Sequence, residues 1–371
     1  MKHLVLLGGG HAHVHVLKAL AGQGMASAQV TLVSPFPRQM YSGMVPGRVA
    51  GHYAVDDCVI PLPPLAAAAK ASFIESAATG IDAAHKTVAL ANGDTLAYDV
   101  LSLDTGPVMD RDGIAGAREH ALFVRPIEHF AQLWSALLAL AQTRVLDVVV
   151  VGGGAAGVEL AMALQHRLCV VAATPARVSL VTGGPAPLAS HPAAVQARVK
   201  RALKRRQVTV FEDTCTQVRQ DCVVLGSGAR LACDAPVMAV GTSAPQWLRG
   251  SGLALDAQGF VNTTATLQST SHAEVFAAGD VASRPDVPHP KSGVYAVRAG
   301  PPLAFNLRRF IGGGELLPYL PQQRSLNLLA CGERFAIASW GPWAVQGRWV
   351  WRWKDHIDRA FVQQYRLPLS L

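Results

Sequence analysis

Residues 147–161 read DVVVVGGGAAGVELA, and this stretch decides the fold. Val148 to Val151 form an unbroken β-branched run, the pattern of a strand buried on both faces of a parallel sheet. Gly152, Gly154 and Gly157 follow in GxGxxG spacing, and a helix is expected from Val158 to about Arg167. Gly152 permits the tight turn, Gly154 lets the backbone approach a pyrophosphate, and Gly157 lets helix and strand pack closely. The helix N-terminus then turns free N–H groups and its positive dipole end toward the phosphates. Arg177 to Val181 (RVSLV) supplies the next strand.

The same unit opens the chain. Leu4 to Leu7 reads as a strand, Gly8-Gly9-Gly10 as the turn, a helix runs to about Ala21, and Val30 to Val33 is a second strand. Two such units about 144 residues apart form an internal repeat at the level of domains. The first turn departs from the motif, because His13 stands where the third glycine belongs, so its ring must fill the gap or hold the helix off the strand. His11, His13 and His15 do not read as a metal cage. Residues two apart on a helix point to opposite sides, only His11 and His15 share a face, and no carboxylate or cysteine lies beside them in sequence. His11 is instead expected at the helix start, beside a phosphate or the bound cofactor. Both units also lack the acidic residue that usually binds a ribose 2′-hydroxyl. Ser34 and Thr182 occupy those places, and a hydroxyl can still bond a ribose.

Composition narrows the rest. A chain of 371 residues accommodates two or three domains. It is 50% apolar and only 16% charged, yet no stretch approaches the ~20 apolar residues of a spanning helix. Lys2 and the short run Leu4–Leu7 do not make a signal peptide, so the cytoplasm is expected. Six cysteines show no CxxC and no metal-like spacing. The net charge of +8 is densest at Arg198, Lys200, Arg201, Lys204, Arg205 and Arg206, a solvated helix face or a means of steering an anionic nucleotide. No aromatic-basic interleaving points to nucleic acid. Asn92-Gly93 marks a hairpin, and a helix is expected from Gly293 to Arg309. The tail after Gly314 holds five of the seven tryptophans, with Trp349, Trp351 and Trp353 alternating so that a strand would set them on one face. That tail suits a membrane interface, packing over the rest of the fold, or a homodimer contact.

Three further stretches carry a resemblance. STSHAEVFAAGD, ending at Asp280, resembles the second flavin fingerprint of two-dinucleotide flavoprotein reductases. YDVLSLDTGP (Tyr98 to Pro107) and DAPVMAVGTSAP (Asp234 to Pro245) resemble their crossings between domains. In this order the pieces are similar to the pyridine nucleotide-disulfide oxidoreductase superfamily over about residues 1–312, nearer to type II NADH dehydrogenases and sulfide:quinone oxidoreductases than to the CxxC-bearing reductases. PFPRQMYSGMVPGRVAGHY (Pro35 to Tyr53), PKSGVYAVRAGPPLAFNLRR (Pro290 to Arg309) and WRWKDHIDRAF (Trp351 to Phe361) resemble a narrower bacterial family often fused to the N-terminus of selenide, water dikinase, of which this chain looks like a stand-alone version.

The resemblance implies an α/β protein with two Rossmann-like domains and a small C-terminal α+β domain. Residues 1–112 and 246–312 would bind FAD, 113–245 would bind NAD(P)H, and 313–371 would form the tail. Gly8, Gly10 and His11 would face the FAD pyrophosphate, with Ser34 and Arg38 nearby, and Ala78 would offer backbone groups to adenine. Tyr41, Ser42 and Gly43, together with Thr105 and Gly106, would border the cofactor. Gly279 and Asp280 would hold the ribityl chain, and Lys291, Ser292, Gly293 and Val294 would meet the flavin ring. Backbone amides there, with Lys291, would favour negative charge on reduced flavin. Gly152, Gly154, Gly157, Thr182 and Gly241 would bind NAD(P)H. Glu159 would lie near the nicotinamide–flavin contact, or simply stabilise the helix dipole.

The implied activity passes electrons from NAD(P)H through FAD to a small acceptor, either a quinone or a sulfur or selenium species. The alternatives are an FAD enzyme fed by sulfide or selenide without nicotinamide, and a flavin-containing partner or sensor in selenium metabolism. Sulfide-oxidising relatives use cysteines near the flavin, and Cys169 and Cys331 fall roughly in the regions to search for them, outside any motif. Association with selenide, water dikinase and peripheral contact at the inner face of the membrane complete the expectations.

Overall fold

The structure, a computed structural model, describes residues 1–25, 27–171, 176–184 and 186–366. Both expected units form, and each builds a five-stranded parallel sheet. In the first, strands Val275–Ala277, Val100–Leu103, Lys2–Leu7, Ala28–Ser34 and Ser72–Glu75 lie side by side in that order. In the second the order is Leu122–Phe123, Ala235–Met238, Asp147–Val151, Arg177–Val181 and Thr209–Phe211. Leu4 to Leu7 and Val148 to Val151 are buried on both sides, which is why they read as unbroken apolar runs. The strand Val275–Ala277 completes the first sheet after the whole second sheet has been laid down, so one unit interrupts the other.

The two crossings meet. Val108–Met109 pairs antiparallel with Thr242–Ser243, tying the outgoing chain to the returning one. Each sheet also carries a three-stranded antiparallel flap, Ala78–Asp82 with Thr87–Leu90 and Thr95–Ala97, and Cys215–Val218 with Cys222–Leu225 and Arg230–Ala232. The expected hairpin turn sits in the first flap, with Gly93 at φ +92. Three helices outrun their expected ends, reaching Gln23, Val171 and Gly312; the last stops where Gly313 takes the left-handed conformation, φ +77. Helices His11–Gln23 and Gly293–Gly312 cross at Gly300, where a Cβ would lie 2.7 Å from the Cβ of His15.

The tail corrects one expectation. Strands Leu326–Ala330, Ala336–Trp340 and Trp343–Gly347 form an antiparallel sheet, but Trp349, Trp351 and Trp353 lie on helix Arg348–Gln363. A short alternation fits either period, and here Val350, Trp351, Lys354, Asp358, Phe361 and Val362 form a buried helical face. Trp351 therefore points inward, while Trp349 and Trp353 stack on each other outside, 56% and 41% exposed. Trp340 and Trp343 are also exposed. Among the described residues no helix is long and apolar enough to cross a membrane.

Candidate cofactor clefts

A cleft of about 440 Å³ opens between the two units at the C-terminal ends of the first sheet. The first glycine turn forms its floor, Ser34 and Ala78 line one end, and Asp280 and Gly293 line the other. Gly8 (φ +99) makes its turn where a Cβ would meet the Asp104 carbonyl oxygen at 2.5 Å, so only glycine serves. His13 resolves the missing third glycine. Its ring is fully buried between helix and sheet; Nδ1–H donates to the Gly8 carbonyl at 2.6 Å, and Nε2 accepts from the Ser102 hydroxyl at 2.8 Å. Burial drives its pKa down to about 4, so the ring is a neutral spacer.

The three histidines part company. His11 lines the cleft, with Gln39 Nε2 3.3 Å from its Nε2, and burial, then the nearby Arg125 charge, lowers its pKa to about 4. His15 turns away toward Tyr365, which lies 3.4 Å from its Nδ1.

Of the other expected residues, Gly10, Arg38, Ser42, Thr105 and Gly106 line the cleft. Ser34 does so too, but its hydroxyl donates to the Phe36 carbonyl at 3.0 Å and is spent on its own loop. Tyr41 and Gly43 instead lie beneath the C-terminal helix. The Tyr41 ring stacks on Phe361 at 4.4 Å, its hydroxyl reaches Asp358, and the Gly43 carbonyl accepts from Lys354 Nζ at 2.8 Å. Gly279 and Lys291 line an adjoining cavity of about 230 Å³ that shares Asp280 with the cleft. Lys291 is not aimed at the glycine turn; its ammonium donates to the Ala282 carbonyl at 2.7 Å and sits 3.7 Å from the centre of the Phe260 ring. Ser292 precedes the helix without capping it through its side chain, and Val294 is half-buried in its first turn.

In the second unit Gly154 and Gly241 face open space, as a bound dinucleotide requires, whereas a Cβ at Gly157 would collide with the Gly152 carbonyl oxygen. Thr182 donates its hydroxyl to the Gly184 carbonyl at 2.5 Å, closing its own turn. Glu159 does not lie free at the helix end. Its Oε1 accepts the Ala330 N–H at 2.7 Å, and burial, countered by Lys354, raises its pKa to about 7. Lys354 in turn donates to Asp358 Oδ2 at 2.8 Å, so Glu159, Lys354, Asp358 and Tyr41 form one polar cluster under the C-terminal helix. Cys331 is buried beside Glu159 with its thiol pushed up to about 12, first by burial and then by that carboxyl. Cys169 is exposed on helix Ala155–Val171.

Sequence reasoning missed Asp104, Gln39, Arg125 and the Lys354–Asp358 pair. Asp104 had a signal, a lone carboxylate ending the apolar strand Val100–Leu103. The rest converge only through the fold; Arg125, from the second unit, reaches within 3.8 Å of Asp280 in the first.

The residues present fit FAD. Gln39 lines the cleft with its Oε1 buried and unpartnered, and Asp104 Oδ1 accepts no hydrogen bond among the described residues. Two glycine turns on two parallel sheets, one sheet inserted into the other, define a two-dinucleotide flavoprotein. Residues 2–300 match the pyridine nucleotide-disulphide oxidoreductase family, and the chain belongs to it. The protein is thus an FAD-dependent oxidoreductase of a family that uses NAD(P)H.

Its relatives include the demethylphylloquinone reductase of Synechocystis, 26% identical over 98% of this chain and 92% of that protein. An NADH dehydrogenase-like protein of Mycobacterium tuberculosis is 29% identical over 61% of this chain and 59% of its own length. Among solved structures, the sulfide:quinone oxidoreductase of Aquifex aeolicus superposes with a TM-score of 0.83 at 20% identity, covering 99% of this chain and 92% of that one. NDH2 of Plasmodium falciparum with NADH gives 0.80 at 14% identity, covering 99% of both chains.

Proposed function

We propose that this protein is a peripheral NAD(P)H:quinone oxidoreductase, with residues 1–112 and 246–312 holding FAD, 113–245 holding NAD(P)H, and 313–371 serving the acceptor. The observation that carries this reading is the cluster of Glu159, Lys354 and Asp358 beside the loop Tyr41–Gly43, whose Ser42 lines the FAD cleft. Two-electron reduction of a quinone consumes two protons, and a carboxyl with a pKa of about 7 can hold and release one at neutral pH. The thiol nearest this cluster, Cys331 beside Glu159, is buried with its pKa pushed up to about 12, so it stays protonated and is a poor nucleophile for a sulfur relay. The relationship to a demethylphylloquinone reductase over nearly the whole chain supports the same acceptor class.

FAD supplies two-electron acceptance from hydride and its passage onward. The chain's own residues do the rest. The open backbone at Gly154 and Gly241 admits the dinucleotide, and the N-terminus of helix Gly293–Gly312, packed against Ser42 and His11, favours negative charge at that end of the cleft. Neutral His11 packs there without adding charge. The exposed Trp340, Trp343, Trp349 and Trp353, with Arg348 and Arg352 beside them, suit the headgroup region of an anionic bilayer, where lipid quinones reside.

Anaerobic mixing with NADH or NADPH tests the donor half through bleaching of the flavin band near about 450 nm. Adding a short-chain quinone then tests the acceptor half through recovery of that band. Bleaching by sulfide or selenide but by neither nicotinamide would refute the proposal and favour the chalcogenide-fed alternative. Bleaching by NAD(P)H without recovery on quinone would refute the acceptor.

A further inference from the structure

Asp104 is the buried titratable group that the proposed reaction leaves unused. It follows strand Val100–Leu103 and is 3% exposed. Its Oδ2 accepts the N–H groups of Ala12 at 2.7 Å and His13 at 2.9 Å, two of the donors that the first turn of a nucleotide-binding helix leaves free. Its Oδ1 lies between Gly10 and Gly279; a Cβ at Gly279 would come within 2.7 Å of it. Asp104 also lines the FAD cleft. An unpartnered carboxylate oxygen under a pyrophosphate would set like charges against each other in a desolvated site, whereas a carboxylic acid would donate a hydrogen bond.

We propose that Asp104 is a cofactor-binding residue that carries a proton when FAD is bound: Oδ2 stays on the helix N–H groups, and the proton on Oδ1 is donated to an oxygen of the cofactor's phosphate–ribityl portion. No bond to the cofactor is made or broken; loading FAD above the titration range of the free protein draws one proton from solvent onto Asp104.

The surroundings support this state. Burial pushes the Asp104 pKa up to about 8, the His13 and Ala12 N–H groups pull it down, and the charge of Asp280 pushes it up again. The groups facing it are few. His13 and Ser102 are neutral and bonded to each other, His11 at the helix start is neutral near pH 7, and Arg125 faces Asp280 from the second unit. The anionic pyrophosphate would raise the Asp104 pKa further.

The inference rests on FAD occupying this cleft, and the test separates the two. FAD is titrated into the full-length apoprotein from about pH 6.5 to pH 9, with flavin fluorescence as readout. The wild-type Kd is expected to be flat at the acid end and to rise by up to about tenfold per pH unit above the Asp104 pKa. Asp104→Asn, which keeps an acceptor for the helix and an N–H for the cofactor, is expected to bind with a pH-independent Kd within about threefold of the wild-type value at pH 6.5. Calorimetry in two buffers of different ionisation enthalpy counts the protons directly. About one is expected to be taken up per FAD at pH 9 by the wild type, and about none by the variant. Uptake of no proton by the wild type at pH 9 overturns the proposal whether or not the variant folds. Uptake retained in Asp104→Asn assigns the proton elsewhere, Asp280 foremost, and also overturns it. Failure to bind FAD at any pH overturns the placement of FAD itself.

Discussion

Replacing His13 with alanine tests the account of the first glycine turn most directly. The change leaves the Gly8 carbonyl and the Ser102 hydroxyl buried without partners and opens a void between helix and sheet. Each orphaned group costs about 1–3 kcal/mol, so the destabilisation near pH 8 should be about 4 kcal/mol. The cost must also depend on pH, with a sign fixed by the depressed pKa. An unfolded histidine takes up a proton below about 6.5, whereas the folded one resists until about 4. The wild type therefore gains the full benefit of His13 above pH 6.5 and loses it as pH falls toward 4. At pH 5 the linkage removes about 2 kcal/mol, so the gap between wild type and His13→Ala should shrink to about 2 kcal/mol. Equilibrium urea unfolding at both pH values, with FAD held saturating, measures it, and the contribution of His11 cancels between the two proteins. A gap that stays constant with pH, or one below about 1 kcal/mol at pH 8, would refute the neutral-spacer account.

Three further outcomes follow from the clefts. Gly154→Val should fold and keep its FAD, because a Cβ there meets nothing, yet slow flavin reduction by NAD(P)H at least about tenfold; Gly157→Val should fail to accumulate as folded protein, because its Cβ would strike the Gly152 carbonyl. Glu159→Gln should leave flavin reduction unchanged in stopped flow but lower steady-state quinone reduction by about a hundredfold. The wild-type rate should decline as pH rises through about 7, where Glu159 gives up its proton, and the variant should lose that limb. Trp349→Ser/Trp353→Ser should reduce co-sedimentation with anionic vesicles while leaving activity on a water-soluble quinone intact, since both rings are exposed and stack only on each other.

What could be read without the structure followed from local constraint. The glycine turns at 8–10 and 152–157 are dictated by backbone approach, and Asp280 ends a short apolar run, so both announce themselves along the chain. The position of Lys291 could not be read that way. Sequence order brings it beside Asp280 and the start of helix Gly293–Gly312, but its ammonium finds the Ala282 carbonyl and the Phe260 ring first. Glu159 was legible as a residue of interest, though not as one engaged by Ala330, because a contact spanning 171 positions leaves no local trace. Trp349, Trp351 and Trp353 misled because three residues sample too little of either period. The buried Lys354 and Asp358 on the same helix were the better clue, since charged residues enter an interior face only when they meet partners there.

The interrupted first sheet has a consequence for how the protein is made. Val100–Leu103 is flanked by Lys2–Leu7 as soon as it emerges, but its other edge waits for Val275–Ala277. At about 5–20 residues per second, the intervening chain takes on the order of ten seconds or more to synthesise. During that interval an apolar strand edge stands open at the ribosome while the inserted unit, whose strands are all in hand by Met238, can close first. The first sheet thus closes only after the inserted one, and its exposed edge is where a chaperone would be needed.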